Sequence, residues 1–292
     1  MQQLRGELLH REPMARHCSW RAGGVVKQLF RPADIADLQQ FLQQLAEDEQ
    51  LLWVGLGSNL LVRDGGFDGS VILTKGRLQQ LAIEDGRLSA EAGVSCAKVA
   101  RESARQGYCG MEFFAGIPGT VGGALAMNAG AFGSETWEMV HKVETIDRRG
   151  VIRTRLPADF EVRYREVKGV AGEYFLRGWF RLQQGDVKAA QQRIRHLLER
   201  RAQTQPTDQP SCGSTFRNPP DDYAARLIES AGLKGFCIGG ACVSAKHANF
   251  IVNRDGATAA DIEQLMEHVQ QRVQHHSKVS LQAEVHIVGE AA

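Results

Sequence analysis

No apolar run in this 292-residue chain approaches the roughly 20 residues that cross a bilayer as a helix, so membrane insertion is not expected. Charge of one sign is not in excess either. Lys and Arg number 35 against 34 Asp and Glu, a formal net charge of +1, which gives no electrostatic reason to expect nucleic acid or an anionic membrane as partner. The opening MQQLRGELLHREPM is polar and lacks the apolar centre of a secretory leader, so a cytoplasmic location is expected. Cysteine is sparse, at 18, 96, 109, 212, 237 and 242. Cys237 and Cys242 have no second ligand pair beside them, so no zinc site is expected, and reduced thiols are the expectation for the whole set. His275 and His276 read as favourable charges at a helix C-terminus, and no metal is assigned to them. Two phosphate-binding signatures are also missing. There is no GxxxxGK[ST], and Gly55 and Gly57 lack the third glycine of GxGxxG, which sets aside a P-loop NTPase and the common dinucleotide fingerprint.

What is present is glycine, concentrated in GMEFFAGIPGTVGGALAMNAGAFG at 110–133. Glycine costs conformational entropy, so such density serves either a tightly packed crossing or a cradle in which backbone N–H groups converge on an anion. Pro118 stiffens the turn before Gly119, and Thr120 adds a hydroxyl. The run TVGGALAMN can start a short helix whose N-terminus would favour phosphate. A second turn, Gly55-Leu56-Gly57-Ser58-Asn59-Leu60-Leu61, follows the apolar run LLWV. Two such loops suit a ligand with two phosphates, or one phosphate and a ring system.

Elsewhere the pattern is that of a mixed helix and strand protein. Asp34 is placed to cap a helix with Ile35, Leu38, Phe41, Leu42 and Leu45 on one face. Strands are expected at 51–54 and 70–74. Asp85-Gly86 and Arg149-Gly150 mark hairpins. Ser95 caps a helix that stops at Gly107, and 173–183 is an aromatic-rich strand. Asp186 opens a helix with Val187, Ala190, Ile194, Leu197 and Leu198 as its apolar face, and TQPTDQP is the best linker. Beyond it, a helix over 222–231 ends at Gly232, NFIVN is a strand, and Thr258 with Asp261 forms a capping box. VSLQAEVHIV at 279–288 alternates as one strand, with Glu284 on its polar face. Divisions are expected at 1–75, 76–185 and 186–292.

Together GLGSNLLV (55–62), GIPGTVGGALAMNAGAFG (116–133), YR (164–165), CGSTFRNP (212–219), VSAKHANFIVN (243–253) and LQAEVHIVG (281–289) resemble the UDP-N-acetylenolpyruvoylglucosamine reductase family. The resemblance covers nearly the whole chain. It implies an α+β chain: a two-subdomain FAD-binding fold of the vanillyl-alcohol oxidase type plus a C-terminal α/β substrate-binding domain. It also implies non-covalent FAD held by Gly55, Gly57, Ser58, Asn59 and Leu60 and by Gly116, Ile117, Pro118, Gly119, Thr120, Gly122, Gly123, Ala126, Asn128 and Gly130.

The implied reaction belongs to peptidoglycan synthesis. NADPH reduces the flavin, and UDP-N-acetylglucosamine enolpyruvate then enters the pocket that NADPH has left. Hydride goes to C3 of the enolpyruvyl group, and Ser214 protonates C2 to give UDP-N-acetylmuramate. Arg165 fixes the substrate carboxylate as a bidentate fork, and Glu284 holds the intermediate. Tyr164, Arg217, Asn218, Lys246 and His247 are the implied substrate contacts. The stretch from Tyr164 to Trp179 is short, which matches the branch of the family without a tyrosine-bearing insertion. Val167 stands where relatives often carry serine. An oxygen-using FAD oxidase and a non-catalytic nucleotide-binding regulator are the competing readings. The regulator reading predicts loss of the serine, the arginine and the glutamate, and this chain has all of them.

Overall fold

The computed structural model describes residues 3–292. They form two compact units, each discontinuous in sequence. The larger holds the chain up to Leu9, Gln28–Leu56 and Ser70–Arg200, and the smaller holds His10–Lys27, Gly57–Gly69 and Arg201–Ala292. The chain passes between units within the strands Glu7–Pro13, Val25–Arg31 and Phe67–Leu73, in the turn between Leu56 and Gly57, and within the helix Val187–Thr204. The strand Glu7–Pro13, with its polar sequence ELLHREP, had no strand signal in the pattern.

In the larger unit, Leu51–Val54 pairs in parallel with the end of Phe67–Leu73, from Leu51 opposite Ser70 to Val54 opposite Leu73. The helix Ile35–Gln44 begins where the Asp34 side chain accepts from the Asp37 amide. It buries Leu38, Phe41 and Leu42, and Phe41 stacks on Phe30 at 4.1 Å. Ile35 and Leu45 pack at the edge of that core, as the spacing implied.

A five-stranded antiparallel sheet follows, in the order Ile152–Arg155, Val140–Asp147, Glu173–Arg181, Arg87–Glu91 and Leu81–Glu84. Asp85 and Gly86 both take positive φ, the two-residue turn that matches strand twist. The helix Cys96–Arg105, capped by Ser95, packs on this sheet through Val99, Ala100 and Ala104. The helix Val187–Thr204 forms as expected, but only Ala190 and Ile194 of its apolar positions are buried. Val187 and Leu198 are exposed, so its contact stripe is narrower than the period suggested.

The smaller unit has the sheet Cys237–Ile238, Ala241–Val243, Ile251–Asn253. Beside it, Leu60–Val62 pairs in parallel with His286–Val288. The helix Ala259–Ser277 starts at the Thr258 and Asp261 capping box and buries Ile262, Leu265, Met266, Val269 and Val273. Each such side chain contributes about 1.5–3 kcal/mol by leaving water. Trp20 lies in the same core, its Nε1 donating to Ile251 O at 2.7 Å while Asn253 Nδ2 donates to Trp20 O.

Two expectations are corrected. The last segment is a strand only over His286–Val288. Upstream, its backbone bonds to loops rather than to a regular ladder, through Arg217 N to Gln282 O and Glu284 N to Thr215 O. Cys237 and Cys242 are not free thiols. They are directly opposed residues in an antiparallel pair, with Cα atoms 4.1 Å apart, and are joined as a disulfide. The spacing concealed a hairpin, which turns at Gly239 and Gly240 and brings the sulfurs together. The remaining four cysteines are free. Burial pushes the Cys18 and Cys212 thiols up to about 12.

Asp37 offers a test of what holds the larger unit. Fully buried, its carboxylate accepts from the backbone amides of Arg5, Gly6 and Ala33 at 2.8–2.9 Å. Asp37→Ala strands these donors and should lower stability by about 2–4 kcal/mol, read as an earlier urea midpoint by circular dichroism.

Candidate functional site

In the larger unit, the strand Leu51–Val54 delivers Gly55 against Thr120. A Cβ on Gly55 would stand 2.3 Å from Thr120 Oγ1, so only glycine allows this approach. Thr120 is buried and its hydroxyl has no hydrogen-bond partner. Both glycine segments reach a cavity of about 250 Å³, lined by Gly55 from the first and by Gly122, Gly123 and Ala126 from the second. A Cβ on Gly123 would meet only Thr120 Oγ1, at 3.9 Å, so the space before it is open. Other lining residues carried no motif signal: Trp53, Thr145, Phe160, Glu173, Tyr174 and Phe175. Trp53, Thr145 and Phe160 come from two other strands and a turn, and packing brings them to the successive residues Glu173, Tyr174 and Phe175 of one strand. Hydrogen bonding from Arg155 holds the Glu173 carboxyl below its ordinary range, against the opposing effect of burial.

The expected anion cradle differs in detail. The helix forms over Val121–Met127, but its first amides are engaged. Val121 N donates to Val94 O at 2.8 Å and Gly122 N to Ala92 O at 3.0 Å. The helix start is thus fastened to residues 92–94 of the same chain, and the Thr120 hydroxyl beside Gly55 is a buried donor without a partner.

Several residues of the two segments have packing duties. A Cβ on Gly57 would lie 2.0 Å from His17 O, one on Gly116 2.3 Å from the Phe132 ring, and one on Gly130 2.6 Å from Ser134 O. Ile117 is buried after the turn Glu112–Gly116, Pro118 is exposed, and Gly119 accepts from Cys96 N. Asn128 is buried in the left-handed region. It donates to Glu135 and to Arg163 O and accepts from Trp137 N.

Arg165 meets that same segment. Tyr164 and Arg165 form the turn of the hairpin Glu161–Arg163, Glu166–Lys168, with Arg165 at φ 55°. Its guanidinium donates to Asn128 O at 3.3 Å and Gly130 O at 3.1 Å, and lies over the exposed Tyr164 ring. The short Tyr164–Trp179 stretch is therefore a tight hairpin that runs into the next strand.

The smaller unit assembles a second cluster. Ser214 is half-buried beside Gly213, whose φ of 71° makes the turn. This turn is clamped by Asn249, a buried residue that the motifs did not single out. Asn249 exchanges two side-chain hydrogen bonds with the Phe216 backbone, at 2.8 and 3.0 Å, and its carbonyl accepts from Thr215 N. Glu284, half-buried, is set beside the turn by its amide on Thr215 O at 2.8 Å and by Asn59 Nδ2 on its own carbonyl at 3.0 Å. Cys212 Sγ donates to Gly57 O and Leu60 O, and Leu60 begins its strand in the core. Ser58 is half-buried in the same loop. Arg217 keeps a buried Nε without a partner.

The structure gives other expected substrate residues local partners. Asn218 Oδ1 accepts from Ala224 N at the start of the helix Ala224–Ser230. Lys246 Nζ donates to Ala202 O. His247 Nδ1 accepts from Asn249 N, and burial lowers the His247 pKa, which favours the neutral ring. No cluster of metal-ligating side chains occurs among the described residues.

The unpartnered Thr120 hydroxyl and the side-chain-free approach at Gly55 and Gly123 fit a nucleotide cofactor. Residues 26–155 match the model of an FAD binding domain. Fold and site thus define a flavoprotein oxidoreductase. Residues 205–288 match the C-terminal domain of UDP-N-acetylenolpyruvoylglucosamine reductase. The chain is 60% identical to the reductase of that name from Alkalilimnicola ehrlichii, over 98% of this chain and 96% of that one. It is 56% identical to the one from Methylococcus capsulatus, over 98% and 95%. The solved structure of the reductase from Thermus caldophilus superposes with a TM-score of 0.83 at 30% identity, covering 98% of this chain and 99% of that one. The chain belongs to the UDP-N-acetylenolpyruvoylglucosamine reductase family.

The glycines separate binding from folding. Gly123→Val fills open cavity space, so FAD affinity should fall by about a hundredfold or more while the melting temperature is retained. Gly57→Val drives a side chain into His17 O and should reduce soluble, folded protein. Flavin titration and thermal melts of both variants check the contrast.

Proposed function

We propose that Ser214, Arg165 and Glu284 carry the carbon chemistry of an NADPH-dependent FAD enzyme. Its reaction reduces the enolpyruvyl group of UDP-N-acetylglucosamine enolpyruvate to the lactyl ether of UDP-N-acetylmuramate in peptidoglycan synthesis. When bound, FAD supplies the redox chemistry, accepting hydride from NADPH and returning it to the enolpyruvyl double bond. Gly55, Thr120, Gly122, Gly123 and Ala126 are the residues that hold it, non-covalently.

The observation that carries this reading is the construction around Ser214. Asn249 and Glu284 fix the turn from two sides through the backbone of Thr215 and Phe216. A serine hydroxyl is a weak acid, so it transfers a proton only to a strongly basic carbon held within reach. Ser214 donates to C2 as charge collects there, and Glu284 keeps the reacting group in register. Arg165 stabilises the charge that spreads into the substrate carboxylate. Its guanidinium is pre-aimed by the carbonyls of Asn128 and Gly130, a geometry that a lysine point charge does not reproduce. Arg217, with its unpartnered Nε, is the substrate-binding cation of the smaller unit. Tyr164, Asn218, Lys246 and His247 complete the proposed substrate contacts, with Asn218 contributing through its amide nitrogen.

NADPH and the sugar nucleotide use one pocket in turn, which predicts ping-pong kinetics. A cytoplasmic location belongs to this reading. Separately, no helix among the described residues is long and apolar enough to cross a membrane. In this reading residues 1–75 and 76–185 act as two FAD-binding subdomains, and 186–292 brings the connecting helix and the substrate-binding part.

The half-reactions test the assignment. Bleaching of flavin absorbance by NADPH needs no proton at substrate carbon, so Ser214→Ala should leave it nearly unchanged. Recolouring by the enolpyruvyl substrate should slow by about a hundredfold or more, the scale of a lost general acid. Glu284→Gln should act on the second step, and Arg165→Lys on that step and on substrate binding. Stopped-flow spectra resolve both; equal slowing of the two steps by Ser214→Ala would assign the serine to positioning instead.

A further inference from the structure

The cavity of the larger unit has one carboxylate in its lining, Glu173, and no lysine or arginine. The Glu173 side chain is only 6% exposed. Its Oε2 accepts from Thr145 Oγ1 at 2.6 Å and from Arg155 Nε at 3.0 Å, and its Oε1 accepts from Arg155 Nη2 at 2.5 Å. Arg153 stands 3.6 Å from Oε1 and is itself paired with Asp147 at 2.7 Å. Two arginines and two acids thus balance one another. A carboxylate oxygen accepts two hydrogen bonds, so Oε1 keeps one acceptor position.

The walls near this carboxylate are flat and aromatic. Tyr174 stacks on Trp53 with ring centres 4.7 Å apart, and Phe160 lies 5.5 Å from Phe175. Such faces suit a planar base. The other recognisable part of the lining is the Gly55, Gly122 and Gly123 set, with the unpartnered Thr120 hydroxyl beside it. A phosphate beside Glu173 would meet an acceptor-only group and no lining cation, an unfavourable pairing. An amine there would meet a waiting acceptor.

Resting on the FAD reading above, we propose that this cavity takes the adenylate half of the cofactor. Glu173 accepts from the 6-amino group of adenine, and the glycine segments receive the phosphates. Glu173 is then the residue that selects the base, a role that neither glycine segment could disclose.

Full-length protein freed of flavin is titrated with FAD by the quenching of flavin fluorescence, in competition with ADP or with inosine diphosphate. The inosine nucleotide presents a carbonyl oxygen in place of the amine. ADP should compete at least about tenfold better, the scale of one hydrogen bond to a charged group. Glu173→Gln, which can donate to that carbonyl, should bring the ratio to about one or reverse it. The wild-type ratio is decisive even if the variant folds poorly, because each comparison is made within one protein. Equal competition by the two nucleotides, no competition by ADP, or an unchanged ratio in folded Glu173→Gln would overturn the assignment to Glu173 and leave the flavin reading standing. Failure of FAD itself to bind would overturn both.

Discussion

The backbone stitch between residues 92–96 and 119–122 is the constraint on which the cavity of the larger unit depends. Cys96 N bonds Gly119 O, Val121 N bonds Val94 O and Gly122 N bonds Ala92 O. These contacts lay the glycine-rich segment against the end of the strand Arg87–Glu91 and fix where Thr120 points. A side chain at Gly122 would meet Ala92 Cβ at 2.9 Å, and one at Gly55 would meet the Thr120 hydroxyl. Glycine therefore serves two purposes in one short region. It lets chains approach closely enough to bond, and it leaves room in front of them for a ligand.

The smaller unit solves its positioning problem with side-chain carboxamides. Asn249 holds the Phe216 backbone from both its oxygen and its nitrogen, and Asn59 holds the Glu284 carbonyl. A loop satisfied in this way loses little by being irregular, because its polar groups are paired as they would be in a sheet. That is how a serine on a glycine turn can be held in place without lying in regular secondary structure. It also explains why the predicted ten-residue strand is shorter. Gln282 and Glu284 spend their backbone hydrogen bonds on the Ser214 loop and on Asn59, and regular pairing begins only at His286.

Much of the fold is legible in the sequence. Caps at Asp34, Ser95 and Thr258 start helices, and the turn at Asp85-Gly86 makes its hairpin. These signals are local, since a cap or a turn is satisfied by residues a few positions away. The hairpins at 161–168 and 237–243 were not legible, nor was the strand Glu7–Pro13. Their residues carry no alternation strong enough to declare a strand, and each is ordered by the partner it finds. The exposed side of the helix Val187–Thr204 makes the same point, because its apolar residues exceed the surface available to cover them.

For the site, the sequence by itself determined the kind of chemistry. The glycine segments, the CGSTFRNP turn and the arginine and glutamate carry enough pattern to name a family, since bond-making groups and side-chain-free backbone are properties of residue identity. Tertiary structure alone decided which residues meet. It separated the glycines that line a cavity, such as Gly123, from those that merely pack, such as Gly57 against His17. It brought Trp53 of one strand to the wall formed by Glu173 and Tyr174 of another, and it opposed Cys237 to Cys242 across a hairpin. The physical reason is that burial and hydrogen-bond partnership are relations between distant residues, fixed by strand register and packing, and no single stretch of chain contains them.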